Sequence, residues 1–211
     1  MNSEAEVSSS APGKPSPTEQ WLVSAFAERV RSVAGQVSFA KGIEEAGQII
    51  AGEAQGKPDA IFTASAAALS AFPALHSTLL NSGISLRIAE ELEYNPEQPS
   101  GLAATLAGDV GIIVAVAGVA ETGSFLASDE TLPTRLLGML SDTVFALLPA
   151  SKIVPTLDEM GDILSRMSAE GRRYLSMVTG PSRTADIERV LTIGVQGPRV
   201  LHVIVLSDGK E

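Results

Sequence analysis

Short apolar runs of strand length alternate along this chain with longer stretches of helical periodicity, and that alternation restricts the fold more than any other feature. Strand-like runs lie at Val37–Ala40, Ala60–Ala64, Ile84–Ala89, Val144–Leu148, Tyr174–Val178 and Val200–Leu206. Between them, helical spacing of apolar residues marks Gln20–Val33, Ile43–Ala54, Ala66–Leu80, Leu132–Leu140 and Leu157–Met167. Punctuation falls where it should. Lys57-Pro58-Asp59 and Asn81-Ser82-Gly83 precede strands, Pro73 splits the third helical stretch, and Thr156 with Glu159 forms a capping box. The longest apolar run, Val110–Ala120, leads through Glu121-Thr122-Gly123 into Ser124–Ala127, which reads as two strands joined near the polar triplet. Such a pattern predicts an α/β fold of three layers, with a mostly parallel sheet flanked by helices.

Composition narrows what such a fold can do. A formal net charge of -10 repels phosphate backbones, so nucleic-acid binding is not expected. There are no cysteines, which excludes disulfides, thiolate chemistry and cysteine-ligated iron–sulfur clusters. The two histidines, His76 and His202, are too few for a histidine-rich metal site, and no metal ligand is assigned. Val110–Ala120 is too short to span a bilayer, and no basic segment followed by an apolar run opens the chain. A cytoplasmic protein without a membrane span is expected. Residues 1–17 are rich in Ser and Pro and cannot offset the entropy of ordering, so they read as a disordered tail before a single domain over 18–211.

Three segments could carry chemistry. Gly118 to Ser124 has the glycine spacing of a phosphate-binding loop, but Ser124 stands where the required lysine would be. What remains is Glu121 between two apolar strands, flanked by Thr122 and Gly123. It is open to two readings: a partly desolvated carboxylate for acid–base or nucleophilic work, or a turn residue that bonds backbone amides or pairs with an arginine. Gly180-Pro181-Ser182-Arg183-Thr184 follows a strand and offers exposed amides, two hydroxyls and a guanidinium. That set can hold a carboxylate or phosphate. The alternative is a structural turn in which Arg183 pairs with Asp186 or Glu188. Gly194 to Arg199 reads as a loop before the last strand, on which His202 is a hydrogen-bonded core residue.

The same segments carry a resemblance. Ala120-Glu121-Thr122-Gly123-Ser124 resembles the A-E-T-G-[ST] segment of the LUD-domain family, lactate utilisation protein C type. Gly180 to Glu188 is almost identical to that family's G-P-S-R-T-A-D-I-E segment, and Gly194 to Val203 is similar to its G-V-H-G-P-[RK]-x-L-H-V ending. Order and spacing agree over roughly residues 100–206. Two departures stand out. Ser128 to Pro133 lacks the Gly- and Arg-rich run common there, and Asp142 lies near the place of a common histidine.

The resemblance implies a fold like that of CoA transferases and sugar-phosphate isomerases. It also implies a role in oxidising L-lactate to pyruvate together with iron–sulfur partner proteins. The expected role is an accessory component that binds a small anionic ligand through Thr122, Gly123, Ser124, Gly180, Ser182, Arg183 and Thr184. The alternative is a CoA-transferase-like or related acyl or phosphosugar enzyme using Glu121, although no G-x-G-G-F oxyanion loop is present. No cofactor is assigned. The G-x-G-x-x-G fingerprint is missing and no residue argues for a flavin, so electrons would have to pass through partners.

Overall fold

Six of the apolar runs assemble into one sheet, in the spatial order Gln36–Ala40, Val200–Leu206, Thr143–Pro149, Val110–Val114, Phe62–Ala64 and Leu86–Ile88. The structure, a computed structural model, describes residues 17–54, 59–93, 95, 97–98, 101, 110–184, 192–193 and 197–207. The strands are β1 (Gln36–Ala40), β2 (Phe62–Ala64), β3 (Leu86–Ile88), β4 (Val110–Val114), β7 (Thr143–Pro149) and β12 (Val200–Leu206). Every pairing in this sheet is parallel. Parallel strands need crossovers, and the helical stretches supply them. The expected α/β sheet flanked by helices is therefore what forms.

Helices cover both faces of the sheet. On one side lie α1 (Pro17–Ser32) and α5 (Leu132–Leu140), with Phe26, Val30 and Leu137 packed on Val144, Leu201, Val203 and Val205. The opposite face is covered by α2 (Ile43–Ala54), α3 (Ala66–Ala71) and α4 (Ala74–Asn81). There Ala46, Ile50, Leu75 and Leu79 meet Phe145, Leu147, Ile204 and Leu206. The split between α3 and α4 falls at Pro73, as the sequence predicts. The expected tail over 1–17 lies outside the described residues except at its last position, where α1 begins.

The long apolar run behaves differently from its reading as one strand followed by another. β4 ends at Val114, the chain leaves the main sheet at Ala115 and Val116, and β5 (Ala117–Val119) begins a second sheet. β5 and β6 (Ser124–Ser128) form an antiparallel hairpin around the polar triplet. Two further strands, β8 (Ile153–Val154) and β9 (Leu175–Val178), complete the order β8-β5-β6-β9. One face of this sheet gives Phe125 and Ala127 to the core under α1; the other gives Val119 and Leu126 to Met160 of α6 (Leu157–Ala169). A short pair, β10 (Arg183–Thr184) with β11 (Thr192–Ile193), stands apart.

Glu90, just after β3, joins the two helical layers at the sheet edge. Its Oε2 accepts the Ala66 amide at the start of α3 at 2.8 Å, and its Oε1 accepts the Thr134 hydroxyl in the first turn of α5.

Two motif glycines fix α1 against the second sheet. Gly123 (φ 68°) would carry a Cβ 2.5 Å from the Val30 nitrogen, and Gly180 (φ 68°) one 2.5 Å from the Val33 carbonyl oxygen. A side chain at either place meets rigid backbone and a left-handed conformation together. We expect Gly123→Ala to destabilise the fold by about 2–4 kcal/mol. Gly52→Ala, on an open helical position of α2, should stabilise by roughly 0.5–1 kcal/mol. Urea unfolding of the two variants checks the contrast; equal midpoints would contradict it.

Candidate functional site

The segments singled out in the sequence meet along one seam, where β6 and β9 of the second sheet run beside the loop that enters β12. The hairpin turn closes through the Gly123 amide, which donates to the Val119 carbonyl at 2.9 Å. That turn places Thr122 and Ser124 side by side. The Thr122 hydroxyl donates to Ser124 Oγ at 2.8 Å, and Ser124 Oγ lies 2.6 Å from Thr179 Oγ1. Ser124 is buried, so these bonds satisfy a hydroxyl that would otherwise be costly inside the protein. One residue beyond Gly180, the chain turns at Pro181, and the Ser182 amide donates to the Pro198 carbonyl at 2.9 Å. The Gly197-Pro198-Arg199 loop is thus tied to the serine turn by backbone. Arg199 is itself committed: its guanidinium forms a two-point ion pair with Asp142, at 3.0 and 3.1 Å.

Glu121 stands apart from this hydroxyl cluster. Its side chain is exposed, and Oε2 accepts the Leu157 amide at 3.1 Å at the first residue of α6. Its own amide donates to the Pro155 carbonyl at 3.0 Å. A carboxylate at a helix N-terminus satisfies an orphan amide and complements the helix dipole, which is the turn reading of this residue. Arg183 lies on β10, exposed, with no ion pair among the described residues. Asp186 and Glu188, its alternative partners, and Gln196 of the third segment lie outside the described residues, as does the side chain of Thr184.

Behind the seam is a cleft of about 130 Å3. The two sheets wall it through Ile113, Val144 and Leu201 on one side and Phe125 and Val178 on the other, and Pro198 closes one end. Phe125, Val178 and Pro198 are chain neighbours of Ser124, Thr179 and Arg199, so the motif segments build this wall directly. The polar groups on the cleft are Asp129, Arg135 and Ser176. Burial raises the Asp129 carboxyl above its usual range, and Glu130 adds to this; a hydrogen bond from Ser176 and the charge of Arg135 oppose it. The Arg135 guanidinium stacks 3.7 Å above the Tyr174 ring and donates to the Asp129 carbonyl at 3.4 Å. The sequence reading missed these residues. The available signal was Arg135 itself, the one charged side chain in the otherwise apolar and hydroxyl-bearing helix Leu132–Leu140.

A second depression, of about 370 Å3, lies over the ends of β1 and β12, with Phe39, Val205 and Ser207 below and Val23 of α1 above. Its charged wall residue is Glu19, which gives an anion nothing to bind. No group of three or more potential metal ligands occurs among the described residues, and no described helix is long and apolar enough to cross a membrane.

His202 is a core residue of β12, 8% exposed, with Nε2 2.8 Å from Ser38 Oγ and its ring 5.0 Å from that of Phe145. Its Nδ1 is buried, with no partner among the described residues.

The fold and seam describe a class: a parallel α/β domain with an added antiparallel sheet whose hairpin carries the Glu-Thr-Gly turn. The model of the family described as LUD domain matches residues 23–206, and the chain belongs to that family. It is 34% identical over 103 residues to lactate utilization protein C 1 of Bacillus mycoides (strain KBAB4), a match covering 47% of this chain and 44% of that protein. It is likewise 34% identical over 103 residues to lactate utilization protein C of Bacillus subtilis (strain 168), covering 47% and 43%. The match thus spans less than half the length of these curated relatives. A crystal structure described as a DUF162 family protein from Deinococcus radiodurans superposes with a TM-score of 0.63 at 20% identity, over 90% of this chain and 98% of that one, and shares the fold.

The buried His202 generates a pH dependence. Burial lowers its pKa below the ordinary histidine value of 6.5, against a smaller opposing effect of Glu53. The unfolded chain therefore takes up a proton near pH 6.5 that the folded chain takes up only at lower pH. Stability contributed by the neutral ring is present above that value and declines as pH falls below it. Asp129 acts in the opposite sense in a more acidic window: its raised pKa makes the fold lose stability as pH rises from 3.8 through the folded value. Urea midpoints should fall between pH 7.5 and 5.5 in the wild type, and less in His202→Gln. Parallel pH profiles for the two proteins would contradict the assignment.

Proposed function

We propose that this chain serves in lactate utilisation as an accessory component that binds a small anionic ligand at the seam and works with iron–sulfur partner proteins. The observation that carries this reading is the convergence of the motif segments: the Thr122–Ser124–Thr179 hydroxyl cluster and the Ser182–Pro198 backbone tie are three residues apart in the chain, and the exposed cation Arg183 comes next. The names of the curated relatives supply the metabolic context. Gly123 and Gly180 hold the seam in place through α1, while Ser182, Arg183 and Thr184 supply the anion contacts. Lactate oxidation releases two electrons, and this chain has no cysteine to ligate a cluster that would receive them. The receiver then belongs to partners, and this subunit binds and positions. The bond between Glu121 and the Leu157 amide argues for a positioning role of that carboxylate rather than a nucleophilic one.

The test is reconstitution. The purified chain alone should be colourless and should not reduce an acceptor dye with L-lactate. Addition of iron–sulfur partners from a lactate-utilising bacterium should give lactate-dependent reduction that rises with the amount of this chain. Arg183→Ala should lower that activity by roughly tenfold or more, the loss of one charge-assisted contact of about 1.5–3 kcal/mol. Dye reduction by the chain alone would overturn the accessory reading, and an unchanged Arg183→Ala reconstitution would remove the anion contact from it.

A further inference from the structure

Four strands end the two larger sheets, and three of them are guarded against pairing with another chain. β3 has three residues with Arg87 at its centre, β8 has two residues, and β9 follows Arg172-Arg173-Tyr174. Short length and charge are the usual devices that keep sheet edges apart. β1, at the other edge of the main sheet, has neither: its five residues, Gln36-Val37-Ser38-Phe39-Ala40, include no charge and no proline. Among the described residues β1 pairs with β12 alone. The Ala40 carbonyl accepts the Ser207 amide at 2.9 Å, so the backbone of Ala40 faces β12. Backbone groups alternate in direction along a strand, and those of Val37 and Phe39 therefore point out of the sheet edge. Phe39 is 46% exposed. Open backbone groups and an uncovered aromatic ring thus coincide on one edge. Trp21, also exposed, stands beside Gln20, which lines the same depression as Phe39.

We propose that two copies of this chain join through β1, antiparallel about a two-fold axis at Ser38, so that two six-stranded sheets become one. Charge selects this occupant. With a formal net charge of -10 each, copies repel one another except through a face that carries no charge. A charged partner segment finds no counter-charge on β1, whereas a second copy brings the same uncharged strand. Self-pairing also fixes the register. Outward-pointing residues must oppose outward-pointing residues, and all five strand residues pair only when Val37 meets Phe39, Gln36 meets Ala40 and Ser38 meets Ser38. Val37 and Phe39 then exchange backbone hydrogen bonds in both directions. Their side chains lie on the α1 face, where they form a cross-strand pair of an aromatic with a branched residue. Lys41, the first charge after the strand, falls opposite Gly35 of the second copy, which has no side chain to meet it. The axis is perpendicular to the sheet, so both α1 helices stay on one face. The inference stands on this edge and does not depend on the lactate-utilisation reading.

Sedimentation velocity and cysteine cross-linking of the full chain test it. The wild type should form a dimer whose share rises with concentration over the micromolar range. Phe39→Lys, which gives β1 the kind of guard that the other edges have, should weaken that dimer at least about tenfold. The chain has no cysteine, so Ser38→Cys places a single thiol in each copy. Residues facing each other between the hydrogen-bonded pairs of an antiparallel ladder have Cα atoms about 4.5 Å apart, within disulfide reach. Mild oxidation should therefore link Ser38→Cys copies and leave Gln36→Cys copies, whose thiols fall on opposite sides of the axis, unlinked. Circular dichroism establishes that each variant is folded. If Ser38→Cys, which loses the hydroxyl bonded to His202, is not, the Phe39→Lys comparison decides the matter. A wild type that stays monomeric throughout, a dimer unchanged by Phe39→Lys, or linking of Gln36→Cys without linking of Ser38→Cys would each overturn the proposal.

Discussion

The last strand of the chain, Val200–Leu206, lies between β1 and β7 and pairs with both in parallel. Alternate side chains enter the two main cores, Leu201, Val203 and Val205 on the α1 side and Ile204 and Leu206 on the α2 side. Until it docks, β1 has no sheet to join, and neither core is closed. The pairing of Gln36 with His202 spans most of the sequence, so loop-closure entropy falls on the step that unites the ends. The geometry of the seam depends on the same strand. Pro198 and Arg199 lead directly into β12, Ser182 is held to Pro198, and Leu201 forms a wall of the cleft.

Two kinds of polar group sit close together here under different physics. Ser124 and Thr179 are satisfied within the protein, and with Thr122 they stiffen the turn that carries them. Asp129 and Arg135 lie half-buried on the apolar cleft, where burial disfavours the Asp129 carboxylate and the Arg135 charge and a Ser176 hydrogen bond favour it. The hydroxyl line is held by neutral hydrogen bonds; the groups on the cleft beside it are balanced by charge. Arg199 and Asp142, by contrast, neutralise each other in solvent, where such a pair contributes at most about 1 kcal/mol.

Much of the main sheet was legible because its signals are local. Helix α2 has the predicted bounds, Pro73 divides α3 from α4, and Thr156 accepts the Glu159 amide at the predicted cap. The departure at Ala115 and Val116 was not legible. Both halves of the run are buried and apolar, so periodicity cannot tell a strand that continues from one that changes sheets. The choice is made by partners far away, Leu147 for the Ala115 amide and Leu126 for that of Val116. For the same reason the motifs were visible while the cleft behind them was not. Arg135 and Ser176 come together with Asp129 only once β9 pairs with β6, and nothing in the spacing of those residues announces it.

Glu90 has a mechanical consequence. A single side chain accepts one bond from a helix on each face of the sheet, at the edge where β3 contributes only three residues. The two layers are therefore laced across the rim, and sliding of α3 along the sheet strains the start of α5, the helix that carries Arg135. An edge strand this short offers few free backbone groups to a neighbouring molecule. The carboxylate beside it turns a potential site of association between chains into a brace that links opposite sides of one molecule.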